Sequence, residues 1–300
     1  MRQRVADELG RMLDRDDRLV VVLAAISTGQ FASARARHPQ RVIDVGIREQ
    51  ALIGVAAGLA HAGLRPVAHT FAPFLLERPF EQLKMDLCQQ GLGAILVSIG
   101  ASYDFPEYGT SHFCPEDVAL LDTLPGIEVH VPGHADEAVT FLRKMVPEDG
   151  IGYLRLSEAT NARAEPTPPG GMRVLRSGAA GSVLAVGPML DPVVAAVEGL
   201  DVTLIYANTV RPLDEATVLA SLGRPAVAVV EPYLAGTSVG VISQSLGHIP
   251  HRILGVGVTR RDLRRYGSRR EHDLAHGLDP ASLRRTLLDF LVTAGPTPGA

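Results

Sequence analysis

Glu49 is the first residue in the chain whose type and place could do chemistry. It lies in RVIDVGIREQALIGVAAGLAHAG (41–63), where a short apolar strand breaks at Gly46 and a long small-residue helix begins. An acid in a first helical turn is favoured by the helix dipole, and that alone could account for it. The helix it opens is apolar and rich in Ala and Gly from Ala51 to Leu59. Such a helix is expected to be buried nearly all round, which places the carboxylate at an interior edge and in need of a specific partner. Gly54 and Gly58, four apart, serve either a close subunit contact or ordinary helix–sheet packing.

Two further stretches carry candidate groups. In HTFAPFLLERPFEQLKMD (69–86), Phe71 and Phe74 flank Pro73 at a strand-to-helix turn, and Phe80 continues the helical face. These rings could face a flat heterocycle or fill the core, and periodicity favours core. In SIGASYDFPEYGTSHFCPEDVALL (98–121) a long loop reaches His112, and Pro115 is expected to open a helix with Glu116 and Asp117 in its first turn. Loops of this length in compact domains are often functional. His112 is a proton-transfer group or a plain polar loop residue.

The elements that must position these groups alternate. Strands are expected at 19–25, 41–45, 65–71, 93–99, 127–132 and 152–157, with helices near 48–62, 74–90, 115–122 and 135–146. Near-continuous apolar strands separated by helices predict a parallel sheet covered on both faces. ATNARAEPTPPGG (159–171) breaks the pattern and reads as a linker. A second alternation follows at 182–187, 201–208, 225–231 and 251–258, then a helix near 280–293 and a frayed GPTPGA tail. The expected fold is therefore α/β with two domains, 1–158 and 172–300. Ligands of open parallel sheets gather at the carboxyl ends of the strands, which directs attention to the turns 44–50, 70–78 and 99–114. EPYLAGTSVG (231–240) could form an anion nest, although a plain strand-to-helix turn is the simpler reading.

Composition narrows the function classes. The chain has 300 residues, 46% of them hydrophobic, with 30 Gly and 21 Pro, the profile of a turn-rich globular enzyme. A net charge of −4, scattered arginines and no long basic run argue against nucleic acid. Cys88 and Cys114 make no metal or redox spacing and read as free thiols of a reducing cytosol. MRQRVADELGRML is an amphipathic helix without a signal-peptide apolar region. The apolar stretch near 51–62 is too short to span a bilayer. The expectation is a soluble cytoplasmic protein. No P-loop, G-x-G-x-x-G, G-x-S-x-G or metal-ligand spacing is found.

At the same three turns the sequence resembles the C-terminal half of the transketolase family of thiamine diphosphate enzymes, over nearly its whole length. DVGIREQ resembles the family's Gly-Ile-x-Glu-Gln/His motif, TFAPFLLERPFEQLKMD its Thr-Phe-x-x-Phe segment, and GTSHFCPEDVALLDTLPGIEVHVP its Thr-His loop, helix and strand. LAVGPML (184–190) and VRPLDEATV (210–218) resemble its C-terminal domain. The resemblance implies a pyrimidine-type domain followed by a transketolase C-terminal-type domain. It implies that Glu49 bonds N1′ of the cofactor's aminopyrimidine and so promotes loss of the thiazolium C2 proton. Phe74 would stack on that ring, Phe71 and Ile47 would line its pocket, and His112 would reach the substrate. The family holds the diphosphate and Mg²⁺ through a Gly-Asp-Gly…Asn motif in an N-terminal domain. None is found here, so a separate partner subunit is expected to supply them in a heterotetramer of two pairs (α2β2).

Departures bear on substrate. Sugar-phosphate transketolases read Asp-Gly-Pro-Thr-His where this chain has Tyr108-Gly109-Thr110-Ser111-His112. A phosphate-binding Arg after the last strand is replaced near Ser157-Glu158, with Arg155 close by. Tyr108, Ser111, His112 and Arg155 are the substrate candidates. The expectation is transfer of a two-carbon ketol or acyl unit to an aldehyde- or ketone-type acceptor, phosphorylated or not, rather than a housekeeping sugar-phosphate transketolase role. The alternative is the β subunit of a 2-oxoacid dehydrogenase decarboxylase component.

Overall fold

The computed structural model describes residues 1–168, 170–261 and 263–292. The tail expected to fray, 295–300, lies outside them. The first part of the chain supplies β1 (Leu19–Leu23), β2 (Val42–Asp44), β3 (Arg65–Phe71), β4 (Ile95–Ile99), β5 (Ile127–His130) and β6 (Ile151–Arg155). The second supplies β7 (Met172–Arg176), β8 (Ser182–Val186), β9 (Thr203–Ala207), β10 (Thr209–Arg211), β11 (Ala226–Leu234) and β12 (Arg252–Val258). One sheet has the order β10-β5-β6-β4-β3-β1-β2 and the other β12-β11-β8-β9-β7. Every pairing is parallel except β10 with β5 and β7 with β9.

Every residue of β1, β3, β4 and β6 is buried, as expected where helices cover both faces of a parallel sheet. Successive side chains alternate between faces. Val21, Leu23, Val67 and Val97 pack with Leu9, Leu13, Phe141 and Leu142 on one side. Val20, Val22, Ala68 and Leu96 pack with Leu52, Ile53, Leu75 and Leu83 on the other, in a core that runs on into Leu184, Val227 and Tyr233 of the second part.

Three local features depart from expectation. Residues 74–90 do not form one regular helix. They form π-helical turns at Pro73–Glu77 and Leu83–Cys88 about a short α-turn at Phe80–Gln82. Pro79 has no amide to donate, and the Arg78 amide reaches back five residues to the Pro73 carbonyl at 3.1 Å. β7 and β10 escape the apolar pattern because one is an exposed antiparallel edge strand and the other is only three residues long. The helix at Asp117–Leu121 opens two residues after Pro115.

The helix Glu49–His61 also differs from expectation, since it is not buried all round. Glu49, Leu52, Ile53, Ala56 and Ala57 face the core. Ala51, Gly54 and Gly58 form an exposed stripe. A Cβ at Gly58 would meet nothing within 4 Å, and one at Gly54 would meet only Asp86 Oδ2, at 3.9 Å. Packing within this chain therefore does not require glycine at either position. Among the described residues no helix is long and apolar enough to cross a membrane.

Candidate active site

The chain reverses direction across the sheet between β1 and β3, and the candidate groups collect at the carboxyl ends beside that switch, where open α/β sheets bind ligands. Glu49 follows β2, Phe71 ends β3, and the loop after β4 carries Tyr108 and His112. Glu49 is 2% exposed. Its Oε2 accepts from Arg78 Nη1 at 2.9 Å. Its Oε1 has no hydrogen-bond partner among the described residues. A buried carboxylate needs compensation, and here it is compensated on one oxygen and open on the other.

Arg78 was not singled out from sequence. It lies in the turn just after the first π-helical stretch, and its guanidinium carbon sits 4.0 Å from the centroid of Phe74. One side chain thus joins the acid after β2 to the aromatic turn after β3. The rings form a cluster of edge contacts: Phe71 lies 6.0 Å from Phe74, 5.3 Å from Phe105 and 5.3 Å from His112. Phe74 lies 4.9 Å from His112. Gly100, at φ +75°, clears the Phe71 ring, because a Cβ there would stand 2.7 Å from Phe71 Cδ1. The expectation that Phe71 and Phe74 are core residues holds in part. Phe71 is buried, while Phe74 is half-buried at the rim.

His112 is half-buried. Burial first, and then the charge of Arg78, lower its pKa below the usual histidine value, so the ring is neutral near pH 7 and free to take a proton. Ser111 Oγ contacts His112 Nδ1 at 2.9 Å. Tyr108, about half exposed, sets its ring 4.7 Å from His112.

Two candidates stand apart. Ile47 is 76% exposed in the turn before Glu49 and does not join the ring cluster. Arg155 is not at the site mouth. It is buried beneath the loop, with Nε donating to Asp117 Oδ2 at 2.6 Å and Nη2 to Ser102 Oγ at 2.7 Å. A guanidinium so enclosed and paired has no free fork for a substrate oxyanion.

A further polar relay supports the switch point. His69 is buried in β3, and its Nδ1 donates to the Val97 carbonyl at 2.7 Å. Burial pushes its pKa down to about 4, so the ring is neutral and Nε2 accepts from the Ser27 hydroxyl at 2.6 Å. Ser27 Oγ accepts in turn from Arg2 Nε at 2.8 Å. Ala25 and Ser27 have φ of +60° and +64°, strained values in the turn after β1; the relay holds Ser27, and the Ala25 amide donates to Asp44 Oδ1 at 2.9 Å. The signal in the sequence was a lone histidine in the apolar run RPVAHTF.

The second sheet offers a contrast. Glu231 is fully buried, and both its oxygens are occupied by the amides of its own turn, Gly236 N at 3.0 Å and Ser238 N at 3.1 Å. The amides that could have formed an anion nest in 231–240 bind this internal carboxylate, so the plain-turn reading stands.

Residues 1–162 match the family described as "Transketolase, pyrimidine binding domain". The chain belongs to this thiamine diphosphate-dependent family. Among its relatives, an "Uncharacterized 33.6 kDa protein in fasciation locus" of Rhodococcoides fascians is 49% identical over 93% of this chain and 91% of that one. A 1-deoxy-D-xylulose-5-phosphate synthase 2 of Geobacter sulfurreducens is 35% identical over 72% of this chain. The aligned part is only 36% of that synthase, so the chain matches well under half of it. Among solved structures, one described as a split gene transketolase, inactive β4 tetramer, superimposes with a TM-score of 0.84 at 26% identity over 97% of both chains.

Proposed function

We propose that this chain is the pyrimidine-binding subunit of a two-component transketolase-like enzyme, with domains 1–158 and 172–300. The complete enzyme would move a two-carbon ketol or acyl unit to an aldehyde or ketone acceptor. The observation that carries the reading is the Glu49 carboxylate. It is buried, fixed through one oxygen by Arg78, and open on the other at the end of an aromatic cluster.

The residues present fit thiamine diphosphate. Glu49 Oε1 is a free partner for a ring nitrogen, and Phe71 and Phe74 offer apolar surface to a flat ring. Ile47 would contact the cofactor separately from those rings, from the exposed turn before Glu49. When bound, the cofactor supplies a nucleophilic carbon that adds to carbonyls and carries the transferred unit. This chain's own groups do the rest. Arg78 fixes the orientation of Glu49, so the acid can exchange a proton with the pyrimidine nitrogen without a rotamer search. The rings exclude water from that exchange. His112, neutral and oriented by Ser111, can give or take a proton at the substrate oxygen. Tyr108 faces the same space and presents a phenol where sugar-phosphate transketolases have a carboxylate. That difference supports an acceptor other than a housekeeping pentose phosphate.

A partner subunit is supported by the open side of the site. The exposed stripe of Ala51, Gly54 and Gly58 lets a second backbone approach closely, and Ile47 is exposed in the turn before the same helix. The solved neighbour of similar length is a split-gene product in an inactive tetramer. The partner would hold the diphosphate and Mg²⁺, in an α2β2 assembly.

The test is reconstitution. The isolated chain is expected to bind thiamine diphosphate weakly and to be inactive. Mixed with its diphosphate-binding subunit it should gain both cofactor and turnover. Full activity of the lone chain would contradict the proposal.

A further inference from the structure

Just past His112 the chain brings a thiol and two carboxylates together. Cys114 and Glu116 lie two positions apart, and Glu77 joins them from the turn after β3, 37 positions before Cys114. One ligand atom from each lies within 4.8 Å of the other two. Cys114 is wholly buried, while Glu77 and Glu116 are exposed. Spacing along the sequence does not show this group, because its third member comes from another turn.

Cys114 Sγ stands 3.5 Å from Glu77 Oε1. A tetrahedral zinc ion, with sulfur at ~2.3 Å and oxygen at ~2.0–2.2 Å, would hold those two atoms about 3.5 Å apart. The same distance suits a thiol hydrogen bond to a carboxylate, and two features go beyond such a contact. The first is an excess of acid. Burial, and then the charges of Asp117, Glu77 and Glu116, hold the Cys114 thiol well above its usual pKa, and burial raises both glutamates as well. A bound divalent cation would relieve all three groups. The second is an unfilled ligand. Glu77 and Glu116 line a cavity of about 430 Å³ that His272 also lines. His272 is 1% exposed, its Nε2 donates to the Tyr266 carbonyl at 2.6 Å, and its Nδ1 has no hydrogen-bond partner among the described residues. A buried imidazole nitrogen left unpaired beside an acid-lined cavity is a Lewis base that calls for an occupant.

We propose that Glu77, Cys114 and Glu116 form a site for a divalent transition metal, best suited to zinc, that ties the turn after β3 to the loop after β4. One thiolate with two carboxylates matches a borderline-soft ion. Magnesium, which takes oxygen ligands, is a poor fit. The exposed glutamates give the ion an entry path, and the cavity has room for a water as fourth ligand. Binding forms the sulfur–metal bond and releases the thiol proton to solvent. Glu77 immediately precedes Arg78, which holds Glu49, and Cys114 follows His112 by two positions. The ion would therefore fix the two turns that present those groups relative to each other.

The full chain, stripped with a chelator and kept reduced, is titrated with cobalt(II), a coloured substitute for zinc. Wild type and Cys88→Ser should each bind one equivalent with a thiolate-to-cobalt absorption band in the near-ultraviolet. Zinc should displace the cobalt and remove the band, while a large excess of magnesium should not. Cys114→Ser should lack the band. Its absence from wild type, its loss in Cys88→Ser or its survival in Cys114→Ser would overturn the proposal. Because Cys114 is buried and its replacement could unfold the chain, the exposed glutamates provide a second test. Glu77→Gln and Glu116→Gln should each weaken cobalt binding at least about tenfold, the lower end of what even outer partners of a metal contribute, with unchanged circular dichroism. Affinities within about twofold of wild type would rule out the carboxylates as ligands and the site with them. Zinc should also raise the thermal midpoint of wild type more than that of either glutamine variant, and equal shifts in all three would count against the site. These readouts need neither thiamine diphosphate nor an acceptor, so failure of the metal site and failure of the two-carbon-transfer reading are told apart.

Discussion

Glu49 and Glu231 are both buried carboxylates near the carboxyl ends of parallel strands, one in each sheet. Their surroundings are opposite. Glu231 has both oxygens filled by the amides of its own turn, and it stabilises the bend that leads from β11 into the helix Val239–Leu246. Glu49 has one oxygen held by a side chain and the other open. The same residue type in the same kind of element is thus a closed structural brace in one case and a half-satisfied group at a rim in the other. Burial is common to both, so what marks the candidate site is the hydrogen-bond capacity left over.

Removing the two acids should have opposite effects. Glu49→Ala is expected to lower turnover of the assembled enzyme by about 10²–10⁴-fold, the range for a lost proton-transfer group, with the thermal midpoint of the chain within a few degrees of wild type. Glu231→Ala should do the reverse. It strands the buried Ser238 amide and removes the partner of the exposed Gly236 amide, and should cost about 1–3 kcal/mol of stability, read by urea unfolding, with activity per folded molecule within about twofold.

The acids also differ in how pH should reach them. Burial pushes the Glu231 pKa up from 4.5 to about 7. The folded state therefore holds this proton more tightly than the unfolded chain does. The stabilisation is fully present below pH 4.5 and is lost as pH rises through 7. Unfolding measured across that window should show this loss in wild type, and Glu231→Gln should flatten it.

A smaller effect is expected at Arg78. Arg78→Ala frees the orientation of Glu49 and should cost about tenfold in turnover, since the carboxylate remains. It also removes a positive charge near His112, so an acid limb set by His112 in kcat/KM should move to higher pH. A loss as large as that of Glu49→Ala would mean that Arg78 does more than orient. The smallest effect on the chain itself is expected at Gly58→Leu. There is room for the side chain and helix propensity improves, so the isolated chain should be as stable as wild type while association with the partner subunit weakens, measured by sedimentation.

The parts of this arrangement legible in the sequence were those carried by local pattern. The apolar runs gave the strands of both sheets within a few residues, since β1, β3, β4 and β6 are buried on both faces and have no alternation to obscure them. Phe71 stood out because it ends β3, and Glu49 and His112 because they lie in the connections that follow β2 and β4. Arg78 did not stand out, because its meaning lies in a contact with a residue 29 positions earlier. Arg155 looked available because spacing does not show that Asp117 lies beneath it. The antiparallel strands β7 and β10 gave no apolar signal, one being an exposed edge and the other only three residues long.

The most direct test of the central claim is the turnover of Glu49→Gln in the assembled enzyme, measured with bound thiamine diphosphate quantified in the same sample. The variant keeps the size and burial of the side chain and removes the acid. Assembly should be normal and turnover reduced at least about a hundredfold. Near-wild-type turnover by a fully loaded Glu49→Gln enzyme would contradict it.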